Sequence, residues 1–116
     1  MTRAVAESRG RRGETLAAWW LRLRGWRIVG RRVKTPRGEI DLVARRGGTV
    51  AFVEVKWRKG AEDLASAIDA YRLRRVAAAA EAVAHRYARA GETVRIDVLL
   101  LAPGHWPRHI VNAWQP

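Results

Sequence analysis

The spacing of apolar residues changes along the chain, and each change predicts a new element. Apolar residues first recur at i, i+4 and i+7, as Leu16, Trp20 and Leu23, and so form one stripe of a helix. This helix is predicted over residues 14–24. Gly25 follows it as a stop signal.

The N-terminus lacks such a period. We therefore expect residues 1–10 to form a flexible basic tail. A chain of 116 residues is typical of one domain. Residues 11–116 are accordingly expected to fold as a single domain around one core.

The middle of the chain is predicted to be largely extended. Strands are expected near residues 26–33, 39–46, 49–57 and 93–101, with a short edge strand at 110–114. Gly47-Gly48 lies between the second and third strands and is typical of a two-residue hairpin loop. An Ala-rich helical pattern covers residues 63–89. This order of elements predicts an α/β domain with a mixed sheet of about four to five strands flanked by helices.

The net charge of +12 adds a functional indication, because a field of that size on a small domain attracts polyanions. Nucleic acid is the commonest such partner, and each neutralised phosphate adds affinity. We therefore expect nucleic acid, above all DNA, as the partner, although Arg-rich composition can also follow from a GC-rich genome. The residues expected to contact phosphates are Arg11, Arg12, Arg58, Lys59, Arg72 and Arg75.

The sequence contains no cysteine, which excludes disulfides and thiolate metal ligands. This composition is consistent with a cytoplasmic protein. No apolar run is long enough to span a bilayer, so no membrane partner is expected. The basic N-terminus is not followed by a continuous apolar segment, and a signal peptide is not expected either.

The predicted hairpin gathers charged side chains on one face. With Gly47-Gly48 as the loop, Asp41 lies opposite Glu54. Two residues further from the loop, Glu39 lies opposite Lys56. Because side chains alternate along a strand, these four point to the same side of the sheet. The other side is apolar and carries Ile40, Leu42, Val53 and Val55.

Two opposed carboxylates predict a cation between them. Directly opposed side chains have Cβ atoms about 5 Å apart, so ionised Asp41 and Glu54 repel each other. A hard divalent ion takes oxygen ligands and would offset this repulsion. Lys56 could orient or deprotonate a water, or neutralise charge on a phosphate. The alternative is a half-exposed sheet with a simple Glu39–Lys56 ion pair, and a slip of one residue would separate the groups.

The motifs of this hairpin resemble those of a known family. The run Gly38-Glu39-Ile40-Asp41-Leu42-Val43-Ala44, followed by Phe52-Val53-Glu54-Val55-Lys56, is similar to the small bacterial family often called YraN, or UPF0102. Residues 9–14 with Ala17-Ala18 resemble its first helix, and Arg95-Ile96-Asp97-Val98 resembles a later strand. The family's fold is similar to the restriction-endonuclease superfamily, with its PD-(D/E)xK motif, and to archaeal Holliday junction resolvases. The resemblance implies a restriction-endonuclease-like three-layer core.

The resemblance also implies a catalytic site. It makes Asp41 and Glu54 the ligands of Mg²⁺ or Mn²⁺, with the backbone carbonyl of Val55 as a further ligand. Lys56 becomes the catalytic lysine. Glu14 matches the place of an additional catalytic acid near the metal, and an ordinary carboxylate in the first turn of a helix is the equal alternative.

Three functions are consistent with this sequence. The leading hypothesis is a metal-dependent endonuclease that hydrolyses phosphodiester bonds of DNA, including branched or flap structures. The second is a nucleic-acid-binding module of the same fold without cleavage. The third is an adaptor whose Trp-rich surface meets a protein partner. Resolvase-like nucleases often act as dimers, so a homodimer is left open.

Three other features are interpreted as structural rather than catalytic. Asp97 is expected on a strand beside the hairpin, in a hydrogen-bonding role. His105 and His109 are expected in a surface loop rather than at a metal, since no cysteine or acid is near them in sequence. Most of the six tryptophans are expected in the core, and exposed ones would allow base stacking.

Overall fold

A mixed five-stranded sheet lies between two described helices. The computed structural model describes residues 3–58 and 70–114, with the side chains of residues 13–58 and 71–114. The helices are α1 (Arg3–Leu23) and α2 (Ala70–Tyr87). The strands are β1 (Arg27–Thr35), β2 (Gly38–Arg46), β3 (Thr49–Trp57), β4 (Thr93–Leu101) and β5 (Arg108–Ile110). They lie side by side in chain order; β3 and β4 are parallel and the other neighbours antiparallel.

The hairpin of β2 and β3 confirms the predicted loop. Arg46 pairs with Thr49 across Gly47-Gly48. A two-residue hairpin loop needs positive φ, and Gly47 adopts +58° without the clash that a Cβ would cause. The register then continues as predicted through the body of the hairpin.

Each face of the sheet carries its own apolar cluster. On one face, α1 and Trp26 pack against Leu42, Ala44, Ala51, Val53, Leu99 and Leu101. On the other face, α2 packs against Ile40, Val43, Val50, Phe52, Ile96, Val98 and Leu100. Burying each large apolar side chain contributes about 1.5–3 kcal/mol, so the central strands are held firmly from both sides. The predicted α/β class and three-layer arrangement are confirmed.

The start of α1 differs from the prediction. The helix begins at Arg3 rather than near Glu14, so residues 3–10, for which the sequence predicts a tail, have helical backbone. Five of these eight residues are Ala, Arg or Glu, which favour helix without needing an apolar stripe. The flexibility of this segment and the single-domain organisation of residues 11–116 stay predictions.

The side of α1 that faces the sheet also differs from the predicted stripe. Leu16 and Leu23 are exposed, and Trp20 is only half-buried. Ala17 and Leu21 are buried against the strands instead. A small side chain allows the helix backbone to approach the sheet closely, and this tertiary packing outweighs the larger residues on the neighbouring stripe.

The end of the chain turns earlier than expected. The last strand is β5, at residues 108–110, rather than at 110–114. Asn112 adopts φ +54° and turns the chain after β5. The N–H of Ala113 then donates to the carbonyl of Ile96 at 2.7 Å, a contact that a straight strand would not make.

The second helix is described from Ala70 and ends at Tyr87, two residues before the predicted end. Residues 63–69, predicted to begin it, lie outside the described residues. Neither helix, over the part of the chain that the structure describes, combines the length and apolarity that a membrane span requires.

Candidate active site

Asp41 lies where β2 and β3 separate. The last residues to pair between the two strands are Leu42 and Val53. Beyond this pair, the N–H of Val55 donates to Oδ2 of Asp41 at 2.8 Å, so a side chain supplies the acceptor in place of the neighbouring strand. This contact fixes the Asp41 carboxylate at the mouth of the gap between the strands.

This separation corrects part of the predicted face assignment. Ile40 packs with Val43 on the α2 side, whereas strict alternation predicts that it shares a face with Leu42. The regular pattern is interrupted at Asp41 because its side chain replaces a backbone partner. Pairing between Glu39 and Lys56 is likewise absent from the described β2–β3 ladder.

Glu54 and Lys56 lie two residues apart on β3, and both are buried. Nζ of Lys56 is 3.0 Å from Oε1 of Glu54. Nε of Arg72, on α2, is 3.3 Å from the same oxygen. A buried carboxylate without such partners would be strongly destabilising. Lys56 therefore pairs with Glu54, and the alternative of a Glu39–Lys56 ion pair is not what the structure contains.

The environment shifts the proton affinities of two groups in opposite directions. Burial, followed by the nearby charge of Glu54, raises the pKa of Asp41 to about 7, although the N–H of Val55 opposes this shift. Burial lowers the pKa of Lys56, partly offset by Glu54. Catalytic sites favour such an arrangement, in which an acid is made harder to ionise and a lysine easier to deprotonate, and here both neighbour Glu54.

Glu14 brings a third carboxylate to the site from α1. It is buried, and its Oε2 accepts a hydrogen bond from Nε of Arg32, on β1, at 2.6 Å. Arg32 has φ +49°, a left-handed backbone that costs a non-glycine residue about 1–2 kcal/mol. The ladder between β1 and β2 pairs Arg31 with Leu42 and Val33 with Ile40, so this unusual backbone lies between two paired residues of β1.

The three carboxylates meet at a small cavity of about 140 Å³. Its lining residues are Gly13, Glu14, Asp41, Glu54, Val55, Trp57 and Arg72. A larger cavity of about 550 Å³ adjoins it and shares Asp41, Glu54 and Arg72. The remaining residues of the larger cavity are Gly38, Glu39, Tyr71, Arg75 and Val76. The acids are therefore reachable from a basic opening next to α2.

The predicted basic residues divide into three groups. Arg72 and Arg75 line the larger cavity, next to the carboxylates. Arg58 does not line either cavity; its Nη1 donates to the carbonyl of Trp57 at 3.0 Å. The side chains of Arg11 and Arg12, and all of Lys59, lie outside the described residues.

Sequence reasoning missed Arg32 as the partner of Glu14. The pair spans 18 positions, and no hydrophobic period or motif singles out one arginine among several in β1. Trp57 was also missed as a lining residue. The alternation along β3 gives a weak signal for it, since it places Trp57 with Val55 on the α1 side.

The donors at the small cavity are of the type that a hard divalent ion takes. The carboxylates of Asp41 and Glu54 and the carbonyl of Val55 are oxygen ligands. As the side chains stand, no group of three or more His, Cys, Asp or Glu within residues 13–58 and 71–114 is arranged to hold a metal ion. Oε1 of Glu54 faces Lys56 and Arg72 instead, so binding a cation there would require a change of ion-pair partners.

Asp97 plays a structural role away from both cavities. Its carboxylate is fully buried and accepts hydrogen bonds from Arg95 at 3.0 Å, His109 at 2.7 Å and the N–H of Asn112 at 2.9 Å. Burial alone would raise the pKa of Asp97, but these hydrogen bonds outweigh it and lower the pKa. The network holds β5 against β4, and it places His109 on β5 rather than in the predicted surface loop.

Fold and site together define a three-layer α/β protein with a buried acid–lysine cluster at the point where a hairpin opens. The chain belongs to a family described as Uncharacterised protein family UPF0102, whose model matches residues 13–101. This range begins one residue before Glu14 and includes every carboxylate of the cluster.

Relatives in several bacteria match the chain over nearly its whole length. A UPF0102 protein of Sphingopyxis alaskensis and one of Erythrobacter litoralis are each 69% identical over 116 residues, which is 100% of both chains. A UPF0102 protein of Caulobacter vibrioides is 47% identical over 113 residues, 95% of this chain and 89% of the relative. Their names state the family and no activity.

Proposed function

We propose that this protein is a Mg²⁺- or Mn²⁺-dependent endonuclease that hydrolyses phosphodiester bonds in DNA, including branched or flapped DNA. The observation that carries the proposal is that Asp41 and Glu54 line one cavity where two strands separate, and that Nζ of Lys56 lies 3.0 Å from Oε1 of Glu54. The same residues in the same order resemble the PD-(D/E)xK motif. Membership of the restriction-endonuclease superfamily, and a kinship with archaeal Holliday junction resolvases, are part of this proposal.

The substrate phosphate would enter through the larger cavity. Arg72 and Arg75 line it, and the chain carries a net charge of +12. Guanidinium groups bind phosphate oxygens in two-pronged geometry, so these two arginines would hold the backbone on either side of the scissile bond. Arg72 would exchange Glu54 for phosphate as the substrate binds.

The carboxylates would then act on the attacking water, through the cation that they hold. Asp41 and Glu54, with the carbonyl of Val55, would hold the cation, and the chemistry that Mg²⁺ or Mn²⁺ supplies at such a site is polarisation of a phosphate oxygen and activation of water. Lys56, released from Glu54, would donate a hydrogen bond to the negative charge that develops on the phosphate. Glu14 would orient the water from α1.

Cleavage of a substrate panel tests this proposal. Linear duplex, flapped duplex, four-way junction and matched RNA are incubated with Mn²⁺ and the parent protein, Asp41→Ala, Lys56→Ala or Glu39→Gln. Cutting by the parent and by Glu39→Gln, with loss in the other two, supports it, because Glu39 lines the larger cavity without joining the ion pairs of Glu54. No cutting by the parent, or equal cutting by Asp41→Ala, contradicts it.

A second candidate is a nucleic-acid-binding module without cleavage. It is favoured by the pairing of one Glu54 oxygen with both Lys56 and Arg72, which neutralises the charge that a metal ion would otherwise offset. This candidate predicts salt-dependent DNA binding that survives Glu54→Ala and Lys56→Ala, with no metal-dependent product.

A further inference from the structure

An aromatic stack capped by an arginine lies on the surface of α1, apart from the acid cluster. Trp20 and Trp106 have ring centroids 6.0 Å apart, with planes tilted by 38°. The guanidinium of Arg24 lies 4.2 Å from the centroid of the Trp20 ring. Trp20 is half-buried against the α1-side core, whereas Trp106 is 84% exposed. The stack is therefore anchored at one end and open at the other.

The loop that carries Trp106 holds this residue at the protein surface. The N–H of His105 donates to the carbonyl of Ala102 at 3.2 Å, which closes a turn, and Gly104 adopts φ +73° within it. Pro107 follows Trp106 and restricts the backbone before β5 begins. The ring is therefore presented to solvent by the loop rather than packed into the core.

Two arginines lie over tryptophan rings on α1, one of them beside the stack. Within the part of the chain that the structure describes, Arg24 takes part in no ion pair, and neither does Arg22, which lies 5.5 Å over the neighbouring Trp19. The described carboxylates that do form ion pairs have other partners. An open ring offers a stacking face to a base, and an unpaired guanidinium offers donors to its phosphate.

We infer that Trp106, which contacts Trp20 beside Arg24, binds an unpaired nucleobase of a single-stranded segment in the substrate. The inference rests on the proposed function and narrows its substrate class to nucleic acid with unpaired bases. A paired base keeps its faces stacked inside the duplex, so an open Trp ring selects for single strands.

The offset along α1 between the stack and the acid cluster is compatible with a short unpaired segment. Glu14, which lines the small cavity, and Trp20 are both on α1, six positions apart. Six residues span about 9 Å along a helix axis, close to the rise of about three stacked nucleotides. A single strand that leaves a branch point at the cluster would thus reach Trp106 within a few nucleotides.

Binding without cleavage tests the inference directly. Fluorescence anisotropy is measured in EDTA with three labelled probes of equal length: a single-stranded oligothymidylate, the same strand with abasic positions in its centre, and a blunt duplex. Trp106→Ala is expected to weaken single-strand binding about 5- to 100-fold, the range for loss of one base–aromatic stack. Its duplex binding should stay within about twofold of the parent, and Trp106→Phe should keep most of the single-strand affinity.

Two controls make the result specific. Trp19→Ala removes another exposed tryptophan, 58% exposed, that has a cation but no aromatic partner among the described contacts, and it should leave single-strand binding nearly unchanged. The abasic probe should bind parent and Trp106→Ala alike. Circular dichroism and thermal melting check that the variants fold, which the exposure of Trp106 leads us to expect.

Contrary outcomes are equally clear. Unchanged single-strand binding by Trp106→Ala, or an equal loss for duplex and abasic probes, overturns the inference and leaves the exposed ring to a protein contact. If the parent cuts no DNA with Mn²⁺ but shows the selective Trp106 effect, the nuclease proposal is contradicted and the single-strand site is supported. If the parent cuts DNA but Trp106→Ala binds single strands as the parent does, the nuclease proposal is supported and the single-strand site is contradicted.

Discussion

The carboxylate of Asp41 accepts a hydrogen bond from the N–H of Val55 at the position where β2 and β3 stop pairing. This one contact serves both fold and site. It satisfies a backbone donor that the opening of the hairpin would otherwise leave without its strand partner, and it holds the carboxylate next to Glu54. β2 and β3 can separate here because the Asp41 side chain, instead of the neighbouring strand, accepts the hydrogen bond of the Val55 N–H. The cavity lies where the two strands separate.

The raised pKa of Asp41 predicts how stability changes with pH. Burial and the charge of Glu54 raise the pKa of Asp41 from its ordinary value of 3.8 to about 7 in the folded protein. The folded state thus holds a proton that the unfolded chain has released between these values, so the free energy of unfolding falls as pH rises through this window. In EDTA at pH 8, Asp41→Asn should exceed the parent in stability by about 1–3 kcal/mol, because an amide keeps an acceptor for Val55 and adds no charge beside Glu54.

Denaturant unfolding of parent and Asp41→Asn at pH 4.5, 6 and 8 measures this. The difference between the two proteins is the useful quantity, since contributions from other groups such as Asp97, whose lowered pKa acts in the opposite direction, cancel in it. If the stability difference between Asp41→Asn and the parent does not grow with pH, or if Asp41→Asn is less stable than the parent at pH 8, the pKa of Asp41 is not raised in the folded protein.

Metal binding should appear as a gain of thermal stability. At a concentration one hundred times the dissociation constant, Mn²⁺ should add about 2.7 kcal/mol at pH 8 and raise the melting temperature. Asp41→Asn and Glu54→Gln should abolish this gain, whereas Glu39→Gln should retain it.

The metal effect should also depend on pH. Below pH 7 the proton on Asp41 competes with the cation, so the affinity should fall about tenfold for each further unit. Isothermal titration calorimetry at pH 6 and 8, in two buffers of different ionisation enthalpy, would register the released proton. A gain of equal size in Asp41→Asn would place the cation elsewhere.

Lys56 should matter to turnover more than to binding. Its ammonium lies 3.0 Å from Glu54, and both are buried. We expect Lys56→Met to lower the cleavage rate at least about 100-fold, as loss of a charge-stabilising group does, and to leave DNA affinity in EDTA within about twofold. Lys56→Arg should recover little activity, because a planar guanidinium does not reproduce a compact ammonium in a closed site.

Single-turnover cleavage and anisotropy on the same protein preparations separate the two effects. Loss of affinity equal to the loss of rate would make Lys56 a binding residue only, and an unchanged rate would remove it from the mechanism.

Part of the fold and of the candidate site can be predicted from the sequence. The rest cannot, because it depends on contacts that form only in the folded protein. The hairpin register follows from Gly47-Gly48 and strand alternation, both local, and it brings Asp41 and Glu54 together as predicted. The face taken by Ile40 does not follow, because a side chain of the folded state replaces backbone pairing there. The pairing of Glu14 with Arg32 is likewise hidden, since it depends on the docking of α1 against β1.

The backbone at Arg32 gives a test that separates conformation from charge. Arg32 lies in the left-handed region at φ +49°, and its guanidinium holds Glu14. Arg32→Gly and Arg32→Ala both remove the ion pair, but only glycine takes this backbone without strain, so the glycine variant should be more stable than the alanine variant by about 1 kcal/mol. Both should show altered metal dependence, because Glu14 loses the same partner in each. Chemical denaturation of the two variants compares them directly, and an alanine variant as stable as the glycine variant would mean that the strand relaxes to ordinary φ once the arginine no longer reaches across to α1.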